Sequence, residues 1–190
     1  NVISYSAAIS ACAKGIQWQR ALGMLADMRE WFLEPNVVSY SAVISACEKA
    51  GQWQWGLQVL VDMRRDSVEL DLLSYGAAIS ACEKGEQWQR ALVLLMDIRR
   101  NFLEPNVVIY GAVIGAFEKD GVWQGVLALL EEMGQPDCIY DDVCMQSAVI
   151  ACGKAEEWER AFALLGAMQR QELEPDAITY SAAINACEKA

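Results

Sequence analysis

All six lysines of this 190-residue sequence, Lys14, Lys49, Lys84, Lys119, Lys154 and Lys189, stand 35 residues apart on one comb. A cation repeated at fixed spacing offers a line of positive charge to an anionic partner. A lysine near a helix C-terminus is also favourable on dipole grounds alone. The aromatic residues keep the same period: Trp18, Trp53, Trp88, Trp123 and Trp158, then Tyr5, Tyr40, Tyr75, Tyr110 and Tyr180, with Met145 at the missing tyrosine. A tryptophan ladder could stack nucleobases. Trp18, however, begins an apolar stripe continued by Ala21, Leu22 and Leu25, so core packing is the expectation for this comb. Trp31 and Trp55 lie off it, as surface or inter-repeat contacts.

Other chemistry is excluded by composition. There is no histidine, hence no His-assisted serine or cysteine nucleophile and no His-ligated zinc. Seven cysteines occur without a CxxC. Five of them, Cys12, Cys47, Cys82, Cys152 and Cys187, are too regularly spaced for a disulfide framework and too far apart for a local metal site. They read as small buried hydrophobes in a reducing compartment; Cys138 and Cys144 break the spacing. No metal, cofactor or small-molecule substrate is expected, and no enzyme activity. No apolar stretch approaches the roughly 20 residues of a membrane span.

The net charge is −11, the pI about 4.4 and the hydrophobic fraction 54%. That is enough apolar material for a folded chain of one-domain size. Taken whole, the acidity argues against a nucleic-acid partner. Sorted by repeat position it reads differently. Glu48, Glu83, Glu118 and Glu188 each precede a lysine, so these two teeth carry +2 and the rest of the chain −13. The arginines fall on or just after second helices: Arg20, Arg90 and Arg160; Arg29, Arg64 and Arg99; Arg65, Arg100 and Arg170. The expectation is a basic track across an acidic body.

The elements that must position these residues follow from the same period. Pro35, Pro105 and Pro175 share a further tooth, with Leu70 and Tyr140 between them. The frames are 2–36, 37–71, 72–106, 107–141 and 142–176, with a partial sixth at 177–190. Within the first, Tyr5, Ala8, Ile9 and Cys12 follow helical spacing. Gly15 marks a turn, and Trp18, Ala21, Leu22, Leu25 and Met28 give a second helix. The closing Leu33-Glu34-Pro35-Asn36 ends the unit, because proline pushes its predecessor out of the helical region. A hairpin this short cannot bury its own apolar face, so neighbours must stack. The predicted fold is all-α, a right-handed α-solenoid of 35-residue helix-turn-helix repeats with the first helices on its concave side. Neither end carries a polar cap, so a fragment of a longer array is expected. At the fourth-to-fifth junction, Gln135 to Asp142 replaces the usual ending. A gap-free frame still places Met145, Ala148, Val149 and Cys152 on the apolar face; a one-residue slip would put Ser147 rather than Gln146 after the tyrosine tooth.

The run Val-Val-Ser-Tyr-Ser-Ala-Val-Ile-Ser-Ala-Cys-Glu-Lys-Ala-Gly (37–51), with Leu-Glu-Pro-Asn (103–106), resembles a pentatricopeptide repeat (PPR), and the likeness covers essentially the whole chain. The Gln-Trp-Gln-Arg-Ala-Leu opening of second helices departs from many members, which carry a polar residue in place of the tryptophan. The resemblance implies single-stranded RNA binding in an organelle, chloroplast before mitochondrion, one base per repeat and 5′ to 3′ along the chain. It implies base packing by Ile3, Val38, Leu73, Val108, Val143 and Ile178, and phosphate contact by the lysine comb. The implied selecting pairs are Ser6 with Asn36, Ser41 with Asp71, Gly76 with Asn106, Gly111 with Asp141, and Gln146 with Asp176; Ser181 is left without a partner. An ionised Asp only accepts, whereas Asn donates and accepts. The first four repeats then imply A-G-A-G, and the Gln-Asp pair has no clear reading. Turn or cap duty after proline would also explain these Asn and Asp residues. A protein-binding helical scaffold is the alternative, since concave helical surfaces take peptides and acidity favours basic partners. The sequence lacks the His-x-Glu and Cys-x-x-Cys of the deaminase domain that some PPR proteins carry.

Overall fold

The structure, a computed structural model, describes residues 1–133 and 142–188. These residues form eleven α-helices and no strand: α1 Val2–Lys14, α2 Trp18–Glu30, α3 Val37–Lys49, α4 Trp53–Arg65, α5 Leu72–Lys84, α6 Trp88–Arg100, α7 Val107–Lys119, α8 Trp123–Met133, α9 Asp142–Lys154, α10 Trp158–Arg170 and α11 Ala177–Glu188. Each odd-numbered helix starts 35 residues after the last. The fold is the expected all-α helical-repeat class.

Local chemistry sets the boundaries. Five of the six odd helices, α1, α3, α5, α7 and α11, open on an Asn or Asp whose side chain accepts the backbone N–H three residues on: Asn1, Asn36, Asp71, Asn106 and Asp176. Such a cap satisfies one of the orphan donors of the first turn. Helix ends turn through a left-handed residue. Ile16, Gly51, Glu86, Gly121 and Glu156 end odd helices and Phe32, Ser67, Phe102 and Glu172 end even ones, at φ of 52° to 66°. At the first such turn Gln17 N–H reaches Cys12 O at 2.9 Å, the six-to-one bond that stops a helix. Glycine would fill these positions most easily, yet only two of the nine have it.

The chain divides into two compact units, residues 1–104 and 105–190. In the first, α1, α3 and α5 pack successively against one another, and α2 and α4 each wedge between two odd helices. No Cα pair of α2 and α4 comes within 8 Å, so the odd helices form the tight layer and side chains bridge the even ones. Ile9, Met28, Tyr40, Ile44, Met63, Tyr75, Ile79, Leu95 and Ile98 are the large buried side chains. In the second unit α9 packs on α7, α8, α10 and α11. Met145, Ala148, Val149 and Cys152 are buried there; the junction at 134–141, with Cys138 and Asp141, lies outside the described residues, as does Lys189.

Cys47, Cys82 and Cys152 are buried, and burial pushes each thiol up to about 11. They are therefore neutral packing groups at physiological pH. Cys12 is half-buried and Cys187, on the last helix, is exposed. No helix among the described residues is long and apolar enough to cross a membrane, and none of their His, Cys, Asp or Glu side chains cluster as a metal site.

Candidate nucleic-acid interface

The second residue of every odd helix from α1 to α9, and of α11, is a large aliphatic side chain in the open. Ile3, Val38, Leu73, Val108, Val143 and Ile178 are 58% to 79% exposed. Ordinary packing at a helix start would have buried them. Eleven residues further on stands the lysine. At 100° and 1.5 Å per residue, the two side chains lie within about 20° of one face, about 16 Å apart along the axis. Between them, seven residues after the aliphatic, Ser10, Ser45, Ser80 and Gly115 keep the stripe low. Each of α1, α3, α5 and α7 thus carries an apolar platform, a floor of small residues and a cation on a single line.

Beside each aliphatic side chain are the residues expected to select the base. Asn36, Asp71, Asn106 and Asp176 are all N-caps, accepting through Oδ1 from Ser39, Ser74, Ile109 and Thr179 N–H at 2.8 to 3.0 Å. Cap duty therefore occupies Oδ1 of each, and not Nδ2 of the asparagines or Oδ2 of Asp71. Thr179, through its hydroxyl and its backbone N–H, also holds the Asp176 carboxyl below the usual range. Ser6 and Ser41 are buried at 7% exposure. Ser6 Oγ donates to Val2 O at 2.9 Å and lies 2.8 Å from Ser39 Oγ. Ser41 Oγ donates to Val37 O at 2.6 Å and lies 2.9 Å from Ser74 Oγ. Gly76, Gly111 and Gln146 are half-buried, and a Cβ on Gly111 would sit 3.8 Å from Cys144 Sγ. Gln146 Nε2 donates to Glu174 O at 3.4 Å, and Ser181, exposed on the last helix, donates to Ala177 O.

The lysines reach across the odd-helix layer. Lys84 pairs with Glu48 at 2.7 Å and Lys154 with Glu118 at 3.2 Å, in each case the glutamate of the preceding repeat. Lys49 faces Ala13, where no glutamate stands, and donates to its carbonyl at 3.5 Å. The Glu-Lys dipeptides are thus rungs between repeats. The paired lysine side chains keep 44% exposure, and an exposed pair of this kind contributes about 1 kcal/mol or less.

The tyrosine comb has a role that periodicity alone did not suggest. Tyr40 and Tyr75 are fully buried up to their hydroxyls. Tyr40 OH donates to Asp66 and accepts from Arg29 Nη2 at 2.9 Å; Arg29 continues to Asp66 at 2.9 Å and Asp62 at 3.4 Å. One repeat on, Tyr75 OH donates to Asp97 at 3.0 Å, with Arg64 bound to the same carboxylate. Tyr110 OH meets Glu132 at 3.2 Å. Burial and the Asp66 acceptor push the Tyr40 phenol up to about 12. Burial alone would raise Asp66, but the Tyr40 and Arg29 hydrogen bonds outweigh it and hold the carboxyl below its usual range. The signal in the sequence was the Asp62 and Asp97 tooth, 33 residues after Arg29 and Arg64.

The tryptophan comb packs only in part. Trp53 lies under the Arg90 guanidinium, 5.1 Å from the ring centroid, and Trp123 under Arg160 at 4.4 Å. Trp18 tilts against Trp55 at 6.1 Å. Gly85 makes room for Trp53: a Cβ there would fall 2.1 Å from Trp53 Cδ1. These rings belong to the even helices and to contacts between repeats, on different elements from the aliphatic platforms. Trp31 is 71% exposed.

The comparisons with known proteins agree with this fold. The chain matches the PPR repeat family over residues 1–49, the pentatricopeptide repeat domain over 58–120, and the PPR repeat over 38–68, 108–138 and 143–173. No curated protein sequence matches it. Among solved structures, the pentatricopeptide repeat protein PPR10 from maize superposes with a TM-score of 0.71 at 22% identity, over 96% of this chain and 26% of its own. PPR10 in complex with an 18-nt psaJ RNA element gives 0.72 at 26% identity, over 100% of this chain and 26% of that one. The chain therefore spans about a quarter of the length of PPR10. The PPR domain of Arabidopsis thaliana protein-only RNase P 1, solved with tRNA, gives 0.84 at 10% identity over 98% of both chains, a likeness of fold. Repeat matches that run from residue 1 to residue 173, leaving out only 139–142, put the chain in the pentatricopeptide repeat family.

Proposed function

We propose that the chain binds single-stranded RNA along the exposed stripe of its odd helices, about one base per repeat, as part of organellar RNA processing or stabilisation, in a chloroplast before a mitochondrion. The observation that carries this is the aliphatic comb: six large apolar side chains held in solvent at one helix position. An exposed apolar side chain beside a polar pair suits a splayed-out base, whose face packs and whose edge hydrogen-bonds. PPR10 bound to RNA, and the RNase P PPR domain solved with tRNA, support the same use of this fold. The selecting pairs favour A-G-A-G over the first four repeats. Catalysis has no part in this reading.

Phosphate contact falls to Lys14, Lys49, Lys84, Lys119, Lys154 and Lys189, the last outside the described residues. The rungs to glutamate do not bar it, because exposed pairs are weak and a phosphate competes well with a carboxylate. Five or six such contacts give a log–log salt slope of roughly −3.5 to −4 on a single strand. Changing Lys49, Lys84 and Lys119 to Ala is expected to weaken binding to every sequence alike and to flatten that slope by about 2. Filter binding from low to moderate salt measures it. An unchanged slope would remove the phosphate role and leave the lysines as inter-repeat rungs.

A further inference from the structure

Ser39 touches both selecting residues of the first repeat. Its Oγ lies 2.8 Å from Ser6 Oγ and 3.0 Å from Asn36 Oδ1, and its backbone N–H donates to that same Oδ1 at 3.0 Å. Ser74 holds the equivalent place in the second repeat, with Oγ 2.9 Å from Ser41 Oγ and N–H donating to Asp71 Oδ1 at 2.8 Å. Both serines are fully buried, so neither reaches a ligand itself.

The consequence is a set of fixed hydrogen-bond polarities. A backbone N–H only donates, so the cap holds Asn36 with Oδ1 inward and Nδ2 outward. Asn36 therefore meets a base as a donor, and Asp71, with Oδ2 outward, as an acceptor. Each hydroxyl has one proton. Ser6 has Val2 O and Ser39 Oγ within reach, and Ser41 has Val37 O and Ser74 Oγ. The proton of each selecting serine stays inside the protein, so the serine can meet a base only as an acceptor. Thr179 repeats the arrangement at Asp176, its Oγ1 donating to Oδ1 at 2.6 Å. Ile109 offers Asn106 only a backbone N–H, at 3.0 Å.

We infer that Ser39 and Ser74 are positioning residues for base selection: the third residue of the next repeat's first helix ties the selecting serine to its Asn or Asp and fixes which atoms face the base. This rests on the RNA reading above and adds a third residue to each of the first two selecting pairs. The third repeat, with Gly76 and Ile109, has neither hydroxyl and should discriminate less than the first two.

The test uses the whole chain and short synthetic RNAs that differ at one base. Wild type is expected to prefer A-G-A-G over A-A-A-G at the second base and over G-G-A-G at the first. Ser74→Ala should cut the second-base preference roughly three- to tenfold, the worth of one well-placed hydrogen bond, and leave the first-base preference unchanged. Ser74→Thr, the residue type already at 179, should keep it, and Asp71→Asn should turn it towards A. If Asp71→Asn switches the base while Ser74→Ala leaves the preference intact, positioning by Ser74 is overturned and the RNA reading stands. Equal loss at both bases marks a structural effect and also overturns it. A wild type that binds RNA without second-base preference takes down base selection and this inference with it, and one that binds no RNA takes down the RNA reading as well.

Discussion

Replacing Val38, Leu73 and Val108 together by Asp is expected to weaken RNA binding about a hundredfold, at about 1 kcal/mol for each lost base contact. The same change should leave the thermal unfolding midpoint where it is. These side chains are 58% to 73% exposed, so little buried area is lost with them. Each also sits in the first turn of a capped helix, where a carboxylate is favoured by the helix dipole. Nothing in the folding of the chain calls for an aliphatic residue there. The triple change to Ala separates the two parts of the loss: it removes packing on the base and adds no negative charge near the phosphates. Fluorescence anisotropy with A-G-A-G RNA reads the affinity, and calorimetry reads the midpoint. If affinity stays level in both variants, the comb is not a base platform.

The second large effect concerns stability. Tyr40→Ala should cost about 3–5 kcal/mol, the usual loss for an aromatic ring deleted from a core. Tyr40→Phe isolates the hydroxyl and should cost about 1–3 kcal/mol, since it takes a donor from Asp66 and an acceptor from Arg29. Urea unfolding measures both, and a Phe variant as stable as wild type would show that the cluster adds nothing. The cluster also makes stability depend on pH. The Asp66 carboxyl is held below its ordinary range when folded, so the stability it adds is complete above the unfolded value and lost as pH falls through the lower folded one. Acid should therefore begin to destabilise the protein below about pH 4. Asp66→Asn should be less stable at neutral pH and show a shallower loss in acid.

Much of the fold could be read before the structure, because its signals are local. Tyr, Trp and Lys teeth mark where helices run, and Asn36, Asp71 and Asn106 follow from capping chemistry. Three features were hidden for a common reason. Ser6 with Ser39 and Arg29 with Asp62 are 33 residues apart, and Lys84 with Glu48 is 36. Neither offset is the repeat length. Each depends on how one helix is rotated and shifted against the next, which the period does not state. The Trp comb misled in a related way: Trp53 starts an apolar stripe, yet its ring lies under Arg90 of the next even helix. The aliphatic comb was visible, but its exposure was not. Val38 looks like any helix-start valine until the neighbouring helices are in place and leave it uncovered.

Sorting the −11 by position had suggested a lysine track over an acidic body. The structure adds that the track is partly neutralised from within, by Glu48 at Lys84 and Glu118 at Lys154. On the proposed reading, selectivity falls to the exposed aliphatic side chains and the Ser/Gly–Asn/Asp pairs, and the lysines supply attraction common to all sequences. Competition between two single-stranded RNAs at moderate salt, one carrying A-G-A-G and the other U-C-U-C, measures that division most directly. The expected result is displacement of labelled A-G-A-G by its own sequence at a much lower concentration than by U-C-U-C. Equal displacement by the two would contradict base selection along the odd-helix stripe.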